Sequence, residues 1–99
     1  MNMQALMAQA QKMQKDILNK KEEINKKEFL GKSELVEVKI NGKKEVLSVK
    51  INSSVSLESD DIEVLEDMIK IATNNAMEQV DKEVSDKLGS YGNQLNGLI

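Results

Sequence analysis

Residues 36–51 read VEVKINGKKEVLSVKI, and this stretch decides the fold. Apolar residues alternate with polar ones on both sides of the pair Asn41-Gly42. They are Val36, Val38 and Ile40 before the pair, and Leu47, Val49 and Ile51 after it. A period of two over two short runs, with an Asn-Gly pair between them, predicts an antiparallel β-hairpin that has one apolar face and one polar face.

The turn of this hairpin must keep the apolar residues of both strands on one face, because a one-residue slip moves every side chain to the other face. Loops of two or four residues satisfy this condition, whereas a loop of three does not. The Asn-Gly pair is typical of a two-residue loop, which would place Val38 opposite Glu45. A four-residue loop over residues 41–44 places Val38 opposite Leu47 and Val36 opposite Val49, and we therefore favour it.

A helix is predicted before the hairpin, over residues 2–26, where apolar side chains recur at steps of three and four. These are Met3, Leu6, Met7, Ala10, Met13, Ile17 and Ile24. Lys20 and Lys27 stand where a seven-residue repeat requires apolar groups. We therefore expect this helix to pack mainly through its first four turns.

A second helix is predicted from Asp60, as an N-cap in a capping box with Glu63, to Leu88, with Gly89 as its stop. Its apolar stripe is Ile62, Leu65, Ile69, Ala72, Ala76, Val80, Val84 and Leu88. Residues 1–88 are predicted to form a single domain. Residues 89–99 are rich in Gly and Asn, and we expect a flexible C-terminal tail there.

Residues 28–33, EFLGKS, also alternate and directly precede the hairpin. Because an isolated hairpin is only marginally stable in water, we expect them to add an edge strand. The predicted fold class is α+β, a three-stranded antiparallel sheet flanked by two long helices in the order α-β-β-β-α. Helices of about 37 and 43 Å are longer than strands of about 20 Å, so their uncovered ends predict a homodimer.

The amino-acid composition excludes several classes of functional site. The 99 residues contain no Cys and no His, which excludes disulfides, thiolate zinc sites and imidazole bases, and no cofactor or metal is predicted. Asp, Glu, Lys and one Tyr remain, and no spacing pairs them into a catalytic group. No apolar run approaches the ~20 residues of a membrane span, and no signal peptide is recognisable. We expect a cytoplasmic protein that is not an enzyme.

The formal charge of −3 is unevenly distributed: residues 1–50 carry 11 Lys and 7 acids, whereas residues 51–99 carry 3 Lys and 10 acids. An acidic run, residues 58–67, lacks the alternating spacing of a calcium loop. Helix capping and complementation of the helix dipole explain this run. We therefore look for the functional residues among the lysines of the basic half of the chain.

Several segments resemble the YbaB/EbfC family of bacterial nucleoid-associated proteins, in order through nearly the whole chain up to about Leu88. They are Leu6 with residues 7–14 (LMAQAQKMQ), Glu22-Glu23-Ile24, residues 36–42 (VEVKING), Leu65-Glu66-Asp67-Met68, and Asn75 with Ala76. The resemblance implies a tweezer-like homodimer whose helical arms grip double-stranded DNA, located in the cytoplasm at the nucleoid. It implies no catalysis and no small-molecule substrate. One departure is the second helix, which stays acidic through Asp81, Glu83 and Asp86 where the family is often basic.

The candidate DNA-binding residues are the lysines of the first helix and its exit. They are Lys12, Lys15, Lys20, Lys21, Lys26 and Lys27. Four such lysines per chain in a dimer would give a logarithmic salt slope of about −7. The chain has no Arg and only two aromatic residues, so weak sequence preference is expected. The alternative is that these lysines are ordinary solvated surface.

Two functional hypotheses follow. The first is a nucleoid-associated homodimer that binds duplex DNA through lysine-phosphate contacts and organises the chromosome or influences gene expression. The second is a dimeric cytoplasmic adaptor whose helices dock a protein partner of the replication or recombination machinery, which the acidic second helix would favour.

Overall fold

The computed structural model describes residues 2–52, 54 and 56–91, and its elements follow the order α-β-β-β-α. They are α1 (Met3–Lys26), β1 (Glu28–Lys32), β2 (Val36–Asn41), β3 (Val46–Ile51) and α2 (Ile62–Leu88). The strands form one antiparallel sheet in the order β1-β2-β3. The predicted fold class, two helices flanking a three-stranded antiparallel sheet, is confirmed.

The hairpin turn differs from both predicted loops. The N–H of Asn41 donates to the carbonyl of Glu45 at 3.1 Å, and the N–H of Lys44 donates to the carbonyl of Asn41 at 3.0 Å. Lys44 has a φ of 64°, in the left-handed region. This is the three-residue loop of a tight turn followed by a left-handed residue, formed by residues 42–44.

A β-bulge restores the alternation that a three-residue loop would otherwise break. Ile40 lies opposite Val46, but Lys39 lies opposite Ser48, so Leu47 is an extra residue in β3. Beyond the bulge Val38 pairs with Val49 and Val36 with Ile51. The favoured four-residue register, with Val38 opposite Leu47, is therefore wrong. The parity argument failed because it counted only the loop and allowed no insertion within the strand.

The core lies between α2 and the inner face of β1 and β2. Ala72 and Ala76 of α2 are fully buried against the sheet. Gly31 in β1 permits this approach: a Cβ there would lie 2.0 Å from the carbonyl oxygen of Ala72 and 2.6 Å from the amide nitrogen of Ala76. α2 covers β1 and β2, whereas all six residues of β3 are exposed.

The helix α1 packs through its second half, which corrects the expectation that its first four turns would pack best. Ile17 and Ile24 are buried, and residues 2–15 are exposed throughout. Lys27 contacts Glu83 and Lys20 contacts Tyr91, so the two helices run antiparallel. The described part of α2 therefore ends beside the middle of α1, and no described element covers the first half of α1.

The ends of α2 also differ in detail from expectation. A 3₁₀ turn at Ser59–Asp61 precedes the helix, and the amide of Glu58 donates to the Asp61 carboxylate at 2.8 Å. The capping box thus lies two residues before the predicted pair of Asp60 and Glu63. After Leu88 the chain makes one further 3₁₀ turn, to Tyr91. The rest of the predicted flexible tail, residues 92–99, lies outside the described residues, so that prediction stays a prediction.

The close approach at Gly31 leads to a first prediction. Gly31→Ala should lower the free energy of unfolding by about 2–3 kcal/mol, because the new methyl group would push α2 away from the sheet. Gly89→Ala is the matched control, since among the described residues a Cβ at Gly89 would meet only the Ser85 hydroxyl, at 3.9 Å, and its backbone is already helical. Urea denaturation of both variants at one protein concentration checks this. Equal midpoints would contradict the packing described here.

Candidate nucleic-acid interface

The helix α1 places its lysines on two different faces. The side chain of Asn2 caps the helix by accepting from the amide of Gln4 at 2.9 Å. At about 100° per residue, Lys26 lies half a helical turn around from the buried Ile17, and Lys12 and Lys15 lie close to the same direction. These three lysines, which we call the outer lysine row, face away from the core along about 21 Å of helix.

The outer lysine row is available to an external ligand. Lys12 and Lys15 are exposed and have no acidic partner among the described residues. Lys26 is 3.9 Å from Glu22, one turn earlier on the same exposed surface. A surface pair at this helical spacing contributes only about 0.3–0.5 kcal/mol. A phosphate group could therefore displace Glu22 at little cost.

Lys20 and Lys21 lie beside the core and not in the outer row. Both are half-buried. The Lys20 ammonium donates to the Tyr91 hydroxyl at 3.1 Å and lies 5.0 Å from the centre of the Tyr91 ring. Lys21 lines a cavity between α1, the hairpin turn and α2. The structure therefore does not bring the six candidate lysines together as one patch.

Lys27 follows α1 and is held by α2. Its ammonium forms an ion pair with the Glu83 carboxylate, and it also lies 5.6 Å from the centre of the Phe29 ring. The hydrogen bond from Lys27 lowers the pKa of Glu83, against a smaller opposing effect of burial, and the charges of Lys27 and Lys87 lower it further. A phosphate would have to compete with Glu83 for Lys27.

Lys43 is not among the six candidate lysines, and the hairpin turn places it near the end of α1. Lys43 and Lys26 line the same surface depression. The turn lies so close to α1 that a Cβ at Gly42 would be 1.9 Å from the carbonyl oxygen of Ile24. The sequence contains the Asn-Gly signal of a turn, but nothing in it indicates that the turn packs against α1. The position of Lys43 beside the outer lysine row could therefore not be predicted.

Two of the three acids of α2 that argued against DNA binding, Asp81 and Glu83, have partners within the chain. Asp81 accepts from Lys44 at 2.8 Å, and Glu83 pairs with Lys27. These two carboxylates hold the turn and the exit of α1 against α2. Their negative charge is therefore partly neutralised, which reduces their repulsion of a phosphate backbone.

Other kinds of site receive no support within the described residues. No group of three or more acidic side chains among residues 2–52, 54 and 56–91 is arranged to hold a metal ion. Neither described helix combines the length and the apolar character that crossing a membrane requires.

Comparison with known proteins places these features in a family. The model of the YbaB/EbfC DNA-binding family matches residues 1–95. Proteins named "Nucleoid-associated protein" are similar over nearly their whole length. That of Lactococcus lactis subsp. cremoris (strain MG1363) is 42% identical over 93 residues, covering 92% of this chain and 93% of the relative.

Two further relatives carry the same name. The protein of Streptococcus pneumoniae (strain Hungary19A-6) is 40% identical over 97 residues, covering 96% of this chain and 97% of the relative. That of Ligilactobacillus salivarius (strain UCC118) is 33% identical over 100 residues, covering 99% of this chain and 95% of the relative. The family match and these relatives confirm the resemblance to the YbaB/EbfC family. This chain belongs to the YbaB/EbfC DNA-binding family.

Proposed function

We propose that this protein is a nucleoid-associated protein that binds duplex DNA as a homodimer, through lysine-phosphate contacts and with weak sequence preference. The family is one of DNA-binding proteins and not of enzymes, and the relatives are named for association with the nucleoid. In this proposal the protein acts in the cytoplasm, at the nucleoid, and organises the chromosome or influences gene expression. The DNA is bound and organised without chemical change.

The observation that carries the proposal is the outer lysine row. Lys12, Lys15 and Lys26 project from one face of a helix over about 21 Å, and two of them have no acidic partner among the described residues. Duplex DNA carries one negative charge per about 1.7 Å of its axis. A straight row of cations on a rigid helix can therefore meet several phosphates at once, with Lys43 as an additional contact near Lys26.

Weak sequence preference follows from the side chains that the row lacks. The planar guanidinium of Arg contacts guanine through two parallel hydrogen bonds, and this chain has no Arg. Stacking on unpaired bases requires exposed aromatic rings. Phe29 is buried in the core, and the Tyr91 ring lies against Lys20. Contacts to the phosphate backbone are what the described surface offers.

The amount of exposed surface supports a homodimer. A compact protein of 11.1 kDa exposes about 5,700 Å², whereas this chain exposes 7337 Å². A stable interface buries about 800 Å² per partner. The difference between the exposed area of this chain and that of a compact protein is larger than this. Much of the exposed area is apolar, since Met3, Leu6 and Met7 on α1 and Val46 and Val49 on β3 are all exposed.

Salt dependence provides the most direct test. Three outer lysines per chain give six phosphate contacts per dimer, so the logarithm of the binding constant should fall with the logarithm of salt at a slope of about −5. The double variant Lys12→Gln/Lys15→Gln should reduce this slope to about −2, because four contacts per dimer are lost. Fluorescence anisotropy with a labelled duplex, titrated at several salt concentrations, measures both slopes.

The matched control for this measurement is Lys70→Gln/Lys82→Gln, which removes the same charge from α2. Lys70 pairs with Asp67 on α2, remote from the outer row. The control should keep a slope of about −5. Equal reductions in the two double variants would show that only net charge matters and would contradict binding by the outer row. No binding by the unmodified protein at low salt would overturn the proposed function.

The pair of Lys27 and Glu83 gives a prediction that depends on pH. The pKa of Glu83 is lower in the folded chain, so the pair contributes stability above the unfolded pKa and loses it as the pH falls through the lowered pKa. Glu83→Gln should therefore cost about 0.5–1 kcal/mol of unfolding free energy at neutral pH. The difference from the unmodified protein should disappear in acid. Denaturation at a series of pH values measures it.

Glu78→Gln is the control for this variant, because Glu78 is an exposed acid of α2 and forms no ion pair with a described lysine. Its effect on the free energy of unfolding should be small, without the loss in acid that is expected for Glu83→Gln. Glu83→Gln should also bind duplex more tightly than Glu78→Gln at low salt, since it frees Lys27 for phosphate. Indistinguishable pH profiles for the two variants would contradict the stabilising role of the pair.

The adaptor hypothesis has one supporting observation, the exposed apolar stripe on the first half of α1. Association with another protein through this stripe would not depend on nucleic acid. Pull-down from a lysate with and without nuclease separates the two functions. On the proposal favoured here, nuclease should abolish the co-purifying material, and a partner that is retained after nuclease would support the adaptor instead.

A further inference from the structure

A cavity of about 500 Å³ lies where the end of α1, the hairpin turn and α2 meet. Its rim carries Lys21, Lys43 and Lys44, and its base is formed by Ile24, Val84 and Leu88. We call it the turn cavity. Sites for small molecules have volumes of about 300–1,000 Å³. The turn cavity is therefore large enough for a small organic molecule.

The lining of the turn cavity has an apolar part and a charged part. Ile24 and Leu88 are buried in the core, and Val84 is half-buried beside them. Lys43 and Lys44 on the hairpin turn are exposed. Ligand sites typically combine an apolar wall with a few polar groups that fix the orientation of the ligand. This lining therefore suits a molecule that has an apolar body and one charged end.

The charges of the lining select an anion. Three lysines line the turn cavity, and Asp81 is the one acid among the described lining residues. Asp81 accepts from Lys44 at 2.8 Å, whereas Lys43 forms no ion pair with a described acid. A phosphate group carries about −1.5 to −2 charges at neutral pH and has three strong acceptor oxygens. It can therefore contact Lys43 and Lys44 together.

The backbone of Lys44 supplies an independent observation. Its φ of 64° lies in the left-handed region, which glycine adopts freely but which costs free energy for a residue with a Cβ. The ion pair with Asp81 does not offset this cost, because the two side chains are 46% and 65% exposed and an exposed pair contributes little. A lysine is thus unfavourable for folding at this position. Backbone conformations of this kind cluster at ligand-binding sites.

We propose that the turn cavity binds a small organic phosphate, with its phosphate group on Lys43 and Lys44 and its aliphatic body against Val84 and Leu88. The inference goes beyond the proposed function and does not depend on it. The body is aliphatic because no aromatic side chain is among the described residues that line the cavity, and a nucleobase would need one for stacking.

Chemical-shift titration of the isotope-labelled full chain by NMR locates this binding and measures its affinity. Octyl phosphate carries both parts of the expected ligand, butyl phosphate has a shorter body, and inorganic phosphate has none. The largest shift changes should fall at residues 21–25, 42–44 and 80–88. Octyl phosphate should bind at least about tenfold more tightly than butyl phosphate, because each additional methylene group contributes about fourfold when it is fully buried. Inorganic phosphate should bind more weakly than either.

Substitution of Lys44 separates binding from folding. Lys44→Gly removes the ammonium group and the left-handed strain, so the affinity for octyl phosphate should fall at least about fivefold. The urea midpoint of unfolding should stay the same or rise, because glycine adopts this φ freely. Lys43→Gln should weaken binding by a similar factor. Lys70→Gln is the matched control, since Lys70 pairs with Asp67 and does not line the cavity, and it should bind octyl phosphate as the unmodified protein does.

The outcomes decide whether the turn cavity is a site. Shift changes centred elsewhere, or equal affinities for butyl and octyl phosphate, would overturn the proposal, because the lysines would then attract anions only as exposed charges. Equal losses in Lys43→Gln and Lys70→Gln would overturn it as well. If Lys44→Gly fails to fold, Lys43→Gln decides. Binding that tightens with chain length and weakens in Lys43→Gln alone of these two variants would support the site. No duplex is present in these measurements, so they leave the proposed DNA binding unaffected.

Discussion

The contact on which the rest of the structure depends is the packing of α2 against β1. There Gly31 lies against the helix backbone between Ala72 and Ala76. A side chain at Gly31 would overlap the helix backbone, so α2 lies closer to the sheet than large residues would permit. This position brings Asn75 and Gln79 to the β1 edge, where they close its open backbone groups. The same position leaves β3 uncovered. Gly31 therefore permits the close position of α2 that covers the β1 edge and leaves β3 exposed.

Ion pairs between the basic and acidic halves of the chain then divide the lysines into two groups. Lys27 and Lys44, which lie next to α2, are paired with Glu83 and Asp81. Those ion pairs attach the hairpin turn and the exit of α1 to α2. The outer lysines Lys12, Lys15 and Lys26 lie on the opposite face of α1 and form no ion pair with α2, and Lys26 pairs only with Glu22 on the surface of α1 itself. The acidic second half of the chain is thus compatible with DNA binding, because part of its charge is used in holding the fold together.

The sequence predicted the elements, their order and the inner face of β2, because periodicity reports directly which side chains are buried. It predicted the turn wrongly, since a bulge at Leu47 offset a three-residue loop that parity had excluded. It also assigned packing to the wrong half of α1. Periodicity shows which face of a helix is apolar, but the partner of that face depends on where α2 ends. The pairing of Lys27 with Glu83, 56 residues apart, likewise required the fold.

The structure places the six candidate lysines on two faces of α1, and part of this division could be predicted from the sequence. Helical geometry alone places Lys12, Lys15 and Lys26 opposite Ile17, and places Lys20 beside the apolar stripe. Three outward lysines on one chain neutralise few phosphates and would give only weak binding at physiological salt. A two-fold dimer doubles the row, and the second half then binds at a high effective concentration. For a protein that has neither Arg nor free aromatic rings, assembly is the available route to useful affinity. On the proposed function, dimerisation and the lysine row of α1 therefore serve the same requirement, which is several phosphate contacts made at once.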